Sequence, residues 1–208
     1  MAFSLSLNNI SKKYNQNWIF KSVGISISNS EKLVILGSNG SGKSTLLQII
    51  SGYVSQTDGT IEYLWNNKTV EKDNIYNHFS IAAPSIELIE EFTLIENANF
   101  FIQLKPLVNN MNADDIAQLC YLENSKDKPI NQFSSGMKQR VKLALAITAQ
   151  TPLLLLDEPS SNLDKQGIDW YKKLVLDFAI DKTIVVCSNQ INDEFFFCSK
   201  QLVIDDYK

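Results

Sequence analysis

Eight consecutive residues constrain the fold more than any others. Gly37-Ser38-Asn39-Gly40-Ser41-Gly42-Lys43-Ser44 matches the pattern GxxxxGK[ST] without departure. Residues 32–36 (KLVIL) just before it form a short apolar run that suits a strand buried on both faces, and residues 45–50 just after it read as a helix. Three of the chain's eight glycines fall within six positions here. They permit a loop whose backbone N–H groups turn inward around an anionic phosphate chain. The N-terminus of the following helix adds its partial positive charge. In such a loop Lys43 reaches the β- and γ-phosphates, and the Ser44 hydroxyl ligates Mg²⁺. The competing reading is a glycine-rich turn that binds nothing. Four fixed positions make a chance match in a chain of this length rarer than about 1%.

A second feature lies far downstream. Leu153-Leu154-Leu155-Leu156-Asp157-Glu158-Pro159 reads as a buried strand ending in two carboxylates. Acids at the end of a buried strand are costly unless a cation or a donor satisfies them. A nucleotide-bound Mg²⁺ satisfies Asp157. Glu158 then faces the terminal phosphate and can polarise an attacking water. Without the upstream loop, a strand simply leaving the core into a polar turn is an equal alternative.

Between these lies Phe133-Ser134-Ser135-Gly136-Met137-Lys138-Gln139-Arg140, about 20 residues before the acidic pair. Taken together, the three segments resemble the ATP-binding subunit of ABC transporters. The family signature is usually Leu-Ser-Gly-Gly-Gln. Ser134 and Gly136 match it, while Phe133, Ser135 and Met137 depart. The resemblance implies that Ser134 and Gly136, at a helix start, bind the γ-phosphate of ATP held by an opposite subunit. By itself the segment also reads as a plain helix N-cap. The resemblance further implies that Ser161-Asn162-Leu163-Asp164 is a loop crossing the dimer interface. Thr45 lies with the phosphate-binding residues. Tyr14, 23 residues before Gly37, corresponds to an aromatic that stacks on adenine. Trp18 competes for that role, and a core aromatic is the alternative for either.

Two further departures from the family matter. Aligned on Thr93 and Glu96, the usual Gln is missing from Ile81-Ala82-Ala83-Pro84-Ser85. Asn189, in Val185-Val186-Cys187-Ser188-Asn189-Gln190, stands where a switch His is usual. The single histidine, His78, lies elsewhere and reads as an ordinary surface residue. The departures bear on hydrolysis rate and coupling rather than on nucleotide binding, so slow ATP hydrolysis is expected.

Composition narrows the rest. Hydrophobic residues at 44% and charged residues at 20% exclude global disorder. A net charge of −4 and a single arginine, Arg140, argue against a nucleic-acid partner. Three widely spaced cysteines and one histidine make a structural zinc site an unsupported reading and suit a reducing compartment. No apolar stretch approaches the roughly 18 residues that cross a bilayer, and the N-terminus lacks the basic start of a signal peptide. The period-two alternations at 3–7 and 23–28 suggest half-buried strands, and further strands fall near 59–64, 79–83, 183–187 and 202–204. Helices are expected at 93–104, where Thr93 and Glu96 form a capping box, at 112–121 with Asn112 as cap, and at 135–149 and 165–178.

Strands alternating with helices indicate an α/β fold with a mostly parallel P-loop core and an N-terminal antiparallel portion. The chain is expected to be one domain, with a core at 1–83 and 150–208 and a helical subdomain at 84–149. The resemblance implies dimerisation around two ATP, with a homodimer and a heterodimer both open. It also implies a separate transmembrane permease, and a cytoplasmic, peripheral location on the inner face of the membrane. Alternatives are a soluble ABC-type ATPase acting on ribosomes or DNA, or a slow nucleotide sensor. The tandem cassettes and long coiled-coil insert usual in the first group are not seen.

Overall fold

The computed structural model describes residues 2–208. In chain order the strands are β1 (Phe3–Tyr14), β2 (Asn17–Ile27), β3 (Lys32–Leu36), β4 (Asp58–Trp65), β5 (Lys68–Thr69), β6 (Phe79–Ala82), β7 (Leu153–Asp157), β8 (Thr183–Ser188) and β9 (Lys200–Val203). The α-helices are α1 (Lys43–Ile50), α2 (Leu94–Leu104), α3 (Ala113–Leu119), α4 (Ser135–Thr148), α5 (Lys165–Phe178) and α6 (Asn192–Phe195). They fall into two compact units. The first takes the chain through Phe79, then Pro152–Glu158 and Asp181–Lys208; the second takes Ser80–Thr151 and Pro159–Ile180.

The first unit holds two sheets. An antiparallel sheet has the order β2-β1-β4-β5. β1 and β2 run much further than the alternating segments 3–7 and 23–28. The reason is local: Asn9 and Ser22 take left-handed backbone angles (φ 55° each), and the β1–β2 register shifts between Leu7 and Ile10. Each bulge resets the side-chain phase, so the strand continues while its alternation is lost. Gly59 faces the Asn9 bulge with φ 89°, and a Cβ there would come within 2.4 Å of the Asn9 carbonyl oxygen. Only glycine fits.

In the parallel sheet β7, β8, β3 and β9 lie side by side. Leu33, Ile35, Leu153 to Leu156 and Ile184 to Cys187 are fully buried. Burial on both faces is why these strands read as unbroken apolar runs. The register pairs Leu36 with Ser188 and Asp157 with Cys187. The carboxyl ends of β3, β7 and β8 therefore finish level. β9 ends at Val203, a residue earlier than expected, because Ile204 turns inward and opens a 3₁₀ turn, Ile204–Tyr207.

The second unit is helical. α2 opens with the expected capping box: Thr93 accepts from the Glu96 N–H, and Glu96 accepts from the Thr93 N–H. Asn112 and Asp115 repeat the device at α3. α5 buries Trp170, Tyr171, Leu174 and Val175. The Arg140 guanidinium of α4 sits 5.6 Å from the Trp170 ring centre, and the Trp170 indole N–H donates to the Leu119 carbonyl at 2.8 Å. Residues 159–180 thus group with the helices that precede them. Among the described residues no helix is long and apolar enough to cross a membrane.

Candidate active site

The level strand ends of the first unit deliver three segments to one edge. The loop 37–44 follows β3, Asp157 and Glu158 end β7, and Asn189 follows β8. Ligand sites in α/β sheets form at this carboxyl edge.

The loop's shape follows from its glycines. Gly40 (φ 75°) and Gly42 (φ 105°) hold left-handed conformations. At Gly37 a Cβ would lie 2.5 Å from Ser41 Oγ and 2.6 Å from Ile204 Cγ2, so the loop closes tightly on itself. Gly42 is the N-cap of α1 and supplies no side-chain cap, and the first turn carries no acid. The α1 N-terminus is therefore left for an external anion. Asn39 is exposed, and Thr45 lies in the first turn of α1.

Lys43 is only 5% exposed. Its Nζ donates to the carbonyls of Gly37 at 2.9 Å and Ser38 at 3.1 Å, and to Asn189 Oδ1 at 2.5 Å. Asn189 Nδ2 in turn donates to Glu158 Oε1 at 2.7 Å. Glu158 has φ 47°, and its N–H donates to the Cys187 carbonyl at 3.0 Å. That uncommon backbone angle turns the carboxylate out of the strand toward Asn189.

Asp157 is 5% exposed, and its Oδ1 has no partner among the described residues. Burial pushes its carboxyl above the ordinary range, Glu158 adds to this, and the Ser44 hydroxyl bond and Lys43 oppose it. A buried carboxylate oxygen lacking a donor, beside a serine hydroxyl, is a hard oxygen donor set that suits Mg²⁺. Ser41 Oγ is likewise buried without a partner.

One contact has no sequence signal. Ser38 N–H donates to Asp205 Oδ2 at 2.9 Å, and Ser38 Oγ lies 3.3 Å from Asp205 Oδ1. Lys208, bonded to Asp205 at 2.9 Å, holds that carboxyl below its usual range, helped by the Ser38 N–H. The 3₁₀ turn after β9 thus grips the first residues of the loop.

The other expected residues belong to other elements. Tyr14 and Trp18, 47% and 43% exposed, belong to the β1–β2 hairpin, so neither is a core aromatic. Lys12 Nζ lies 4.6 Å from the Tyr14 ring centre, and Lys13 and Lys21 lie 5.2 Å from that of Trp18. Ser134, Gly136 and Asp164 lie in the second unit. Ser134 caps α4 by accepting from the Met137 N–H at 3.2 Å, which leaves its own O–H able to donate outward. Gly136 allows close approach: a Cβ there would meet the Asn162 carbonyl at 2.9 Å. Asp164 caps α5 through the Gly167 N–H at 2.7 Å and lies 3.8 Å from Arg140. Gln139, unremarked in the sequence, is buried and donates to the Pro159 carbonyl at 2.9 Å.

A glycine-built phosphate loop, an acidic pair and a capped signature helix on this α/β frame define a P-loop ATP-binding cassette. Residues 20–161 match the ABC transporter family, and the chain belongs to that family. The lantibiotic transport ATP-binding protein SrtF of Streptococcus pyogenes is 28% identical over 198 residues, covering 91% of this chain and 81% of that protein. The ABC transporter ATP-binding protein YtrE of Bacillus subtilis is 34% identical over 167 residues, covering 76% and 72%. Among solved structures, the ATP-binding cassette MJ0796, a dimer in a post-hydrolysis state with ADP and phosphate bound, superposes with a TM-score of 0.79 at 26% identity, over 96% of this chain and 93% of that one.

Proposed function

We propose that this chain is the ATP-binding and ATP-hydrolysing subunit of a transporter, that it dimerises around two ATP molecules, and that it drives a separate membrane permease. The observation that carries the reading is the convergence of the loop, Lys43, Asp157 and Glu158 at one sheet edge.

The loop N–H groups and the α1 N-terminus bind the phosphates, with Lys43 supplying charge over the β- and γ-groups. Ser44 and Asp157 hold Mg²⁺, which when bound neutralises phosphate charge. Glu158 is the candidate base: it orients water and accepts its proton. Asn189, bonded to Glu158, fixes that carboxylate and offers an amide donor to the terminal phosphate. An amide forms a weaker contact than a charged donor, so hydrolysis is slow but measurable. Ser134 and Gly136 serve the ATP of the opposite subunit, Asp164 lies in the interface loop, and Tyr14 stacks on adenine.

The permease reading is supported by a mainly apolar groove in the second unit, of about 130 Å³, lined by Ile81, Ile86, Leu88, Ile89, Phe100, Phe101 and Leu145, with Glu87, Asn97 and Lys142 also facing it. Phe100 is 48% exposed and Ile86 44%. An exposed apolar pocket of this size suits one or two apolar side chains of a partner. The subunit then sits on the inner face of the membrane through that partner. The lantibiotic transport role of SrtF is consistent with this assembly.

Glu158→Gln tests the composite site. It retains Mg–ATP binding but lacks the base, so size-exclusion chromatography is expected to show a dimer with Mg–ATP and a monomer without it. A chain that binds Mg–ATP yet stays monomeric at every concentration sinks the homodimer reading.

A further inference from the structure

The ammonium of Lys43 has three N–H donors, and the structure fills all three. Two go to the carbonyls of Gly37 and Ser38, the backbone of the loop that carries the lysine, so they move with it. The third goes to Asn189 Oδ1, a side chain on the far end of another strand. It is the one acceptor that can be exchanged without rebuilding the loop. A phosphate oxygen reaching Lys43 must take that place.

The orientation of the amide follows from its two neighbours. Its oxygen can only accept and its NH₂ can only donate. Facing an ammonium on one side and the Glu158 carboxylate on the other, it has one satisfactory arrangement, with Nδ2 on Glu158 Oε1 at 2.7 Å. The result is a chain of hydrogen bonds running from cation through amide to anion. Half-buried and charge-assisted at both ends, such a chain is stronger than a neutral pair.

We propose that Asn189 is a clasp on the phosphate-binding lysine. Its side-chain carbonyl takes the Lys43 donor that a phosphate oxygen needs, so the two compete for it, and nucleotide binding transfers Lys43 from the amide to the phosphate. The clasp rests on the nucleotide-binding reading above and adds a direction to it. The protein that is competent to bind is the fraction with the clasp open, so measured affinity is lowered by that fraction. Transfer also frees the amide oxygen while the bond to Glu158 remains, so occupancy of the loop is reported to the candidate base through a single side chain.

The sign of the effect separates the clasp from a simple phosphate contact. If Asn189 served only to bind phosphate, removing it would weaken binding. If it competes for Lys43, removing it tightens binding, and only while Lys43 is present. The experiment is calorimetric titration of Mg–ATP into wild type, Asn189→Ala, Lys43→Ala and the double variant. Asn189→Ala is expected to bind about fivefold tighter than wild type, about 1 kcal/mol. The double variant is expected to match Lys43→Ala, since the interaction term of the cycle belongs to the pair. Asn189→Leu, which keeps the volume and removes both polar ends, is expected to behave as Asn189→Ala and serves if the smaller residue does not fold. Affinity equal within twofold or weaker in a folded Asn189 variant overturns the clasp, as does a gain that persists without Lys43. A wild type that binds no Mg–ATP overturns the nucleotide reading itself, and the clasp with it.

Discussion

Lys43 and Asn189 carry the chemistry at the scale of single residues. Lys43 is nearly buried and satisfied by three oxygens, so its removal leaves the loop carbonyls unpaired but opens no large cavity. Loss of a charge-assisted bond costs about 1.5–3 kcal/mol. Lys43→Ala is therefore expected to weaken Mg–ATP binding by roughly tenfold to a hundredfold while its circular dichroism stays that of wild type; affinity within twofold of wild type contradicts the loop assignment. At Asn189 the issue is rate. If a charged donor gives about 1 kcal/mol more than an amide to the developing phosphate charge, the chemical step here is about fivefold slower than it could be. Asn189→His is expected to raise the single-turnover rate several-fold at saturating Mg–ATP. An unchanged or lower rate means the amide is not a weakened switch. Both residues were named from sequence, Lys43 by its motif and Asn189 by the family resemblance, which puts it at the usual switch His. Their direct bond was not legible, because 146 residues separate them.

At the scale of elements, the 3₁₀ turn after β9 acts on the phosphate loop. Asp205 holds the Ser38 N–H, and Ile204 fills the space over Gly37. Asp205→Ala removes the carboxylate that accepts from the Ser38 N–H and lies beside the Ser38 hydroxyl. The Ser38 amide is then expected to exchange with solvent several-fold faster, whereas Asp205→Asn, which keeps an acceptor but loses the charge and the Lys208 ion pair, is expected to fall between the two. Equal protection in Asp205→Ala and wild type means the turn does not brace the loop. The carboxyl is held below its usual range, first by Lys208 and then by the Ser38 N–H. A lowered folded value means its stabilising effect is present above the unfolded value and is lost as pH falls through the folded one. Protection at Ser38 should therefore keep its full value through the ordinary carboxylate range and weaken only at more acid pH. Nothing in the sequence near Asp205 marks this contact, since its partner lies 167 residues away. By contrast the capping boxes at Thr93 and Asn112 were legible, because cap and partner are three residues apart.

At the scale of the whole molecule the proposed function requires two docking faces, one for a second cassette and one for a permease. The apolar groove with Phe100 and Ile86 belongs to the second. Phe100→Asp places a charge on a half-exposed position, where the cost to the fold is small, but in a docked groove it would lie buried against apolar side chains. Mg–ATP affinity is expected to stay at the wild-type value while recovery of the subunit with detergent-solubilised membranes falls at least several-fold. Equal recovery of Phe100→Asp and wild type places the membrane contact elsewhere.

The sequence by itself determined the parts of this protein that are contiguous. The phosphate loop, the acidic pair after the leucine run, the signature helix start and the helix caps each depend on neighbouring backbone, so residue type and spacing suffice to specify them. It also set the α/β class, because buried parallel strands must be apolar along their whole length. The tertiary structure decided what those parts touch. β1 and β2 exceed their alternating stretches because bulges at Asn9 and Ser22 reset the phase of the side chains. Asn189 reaches Lys43 and Glu158 because the registers of β3, β7 and β8 end level. Asp205 meets Ser38 because β9 pairs beside β3 and releases its next turn at the loop. Strand order and register arise from burial over the whole core, and no local spacing encodes them.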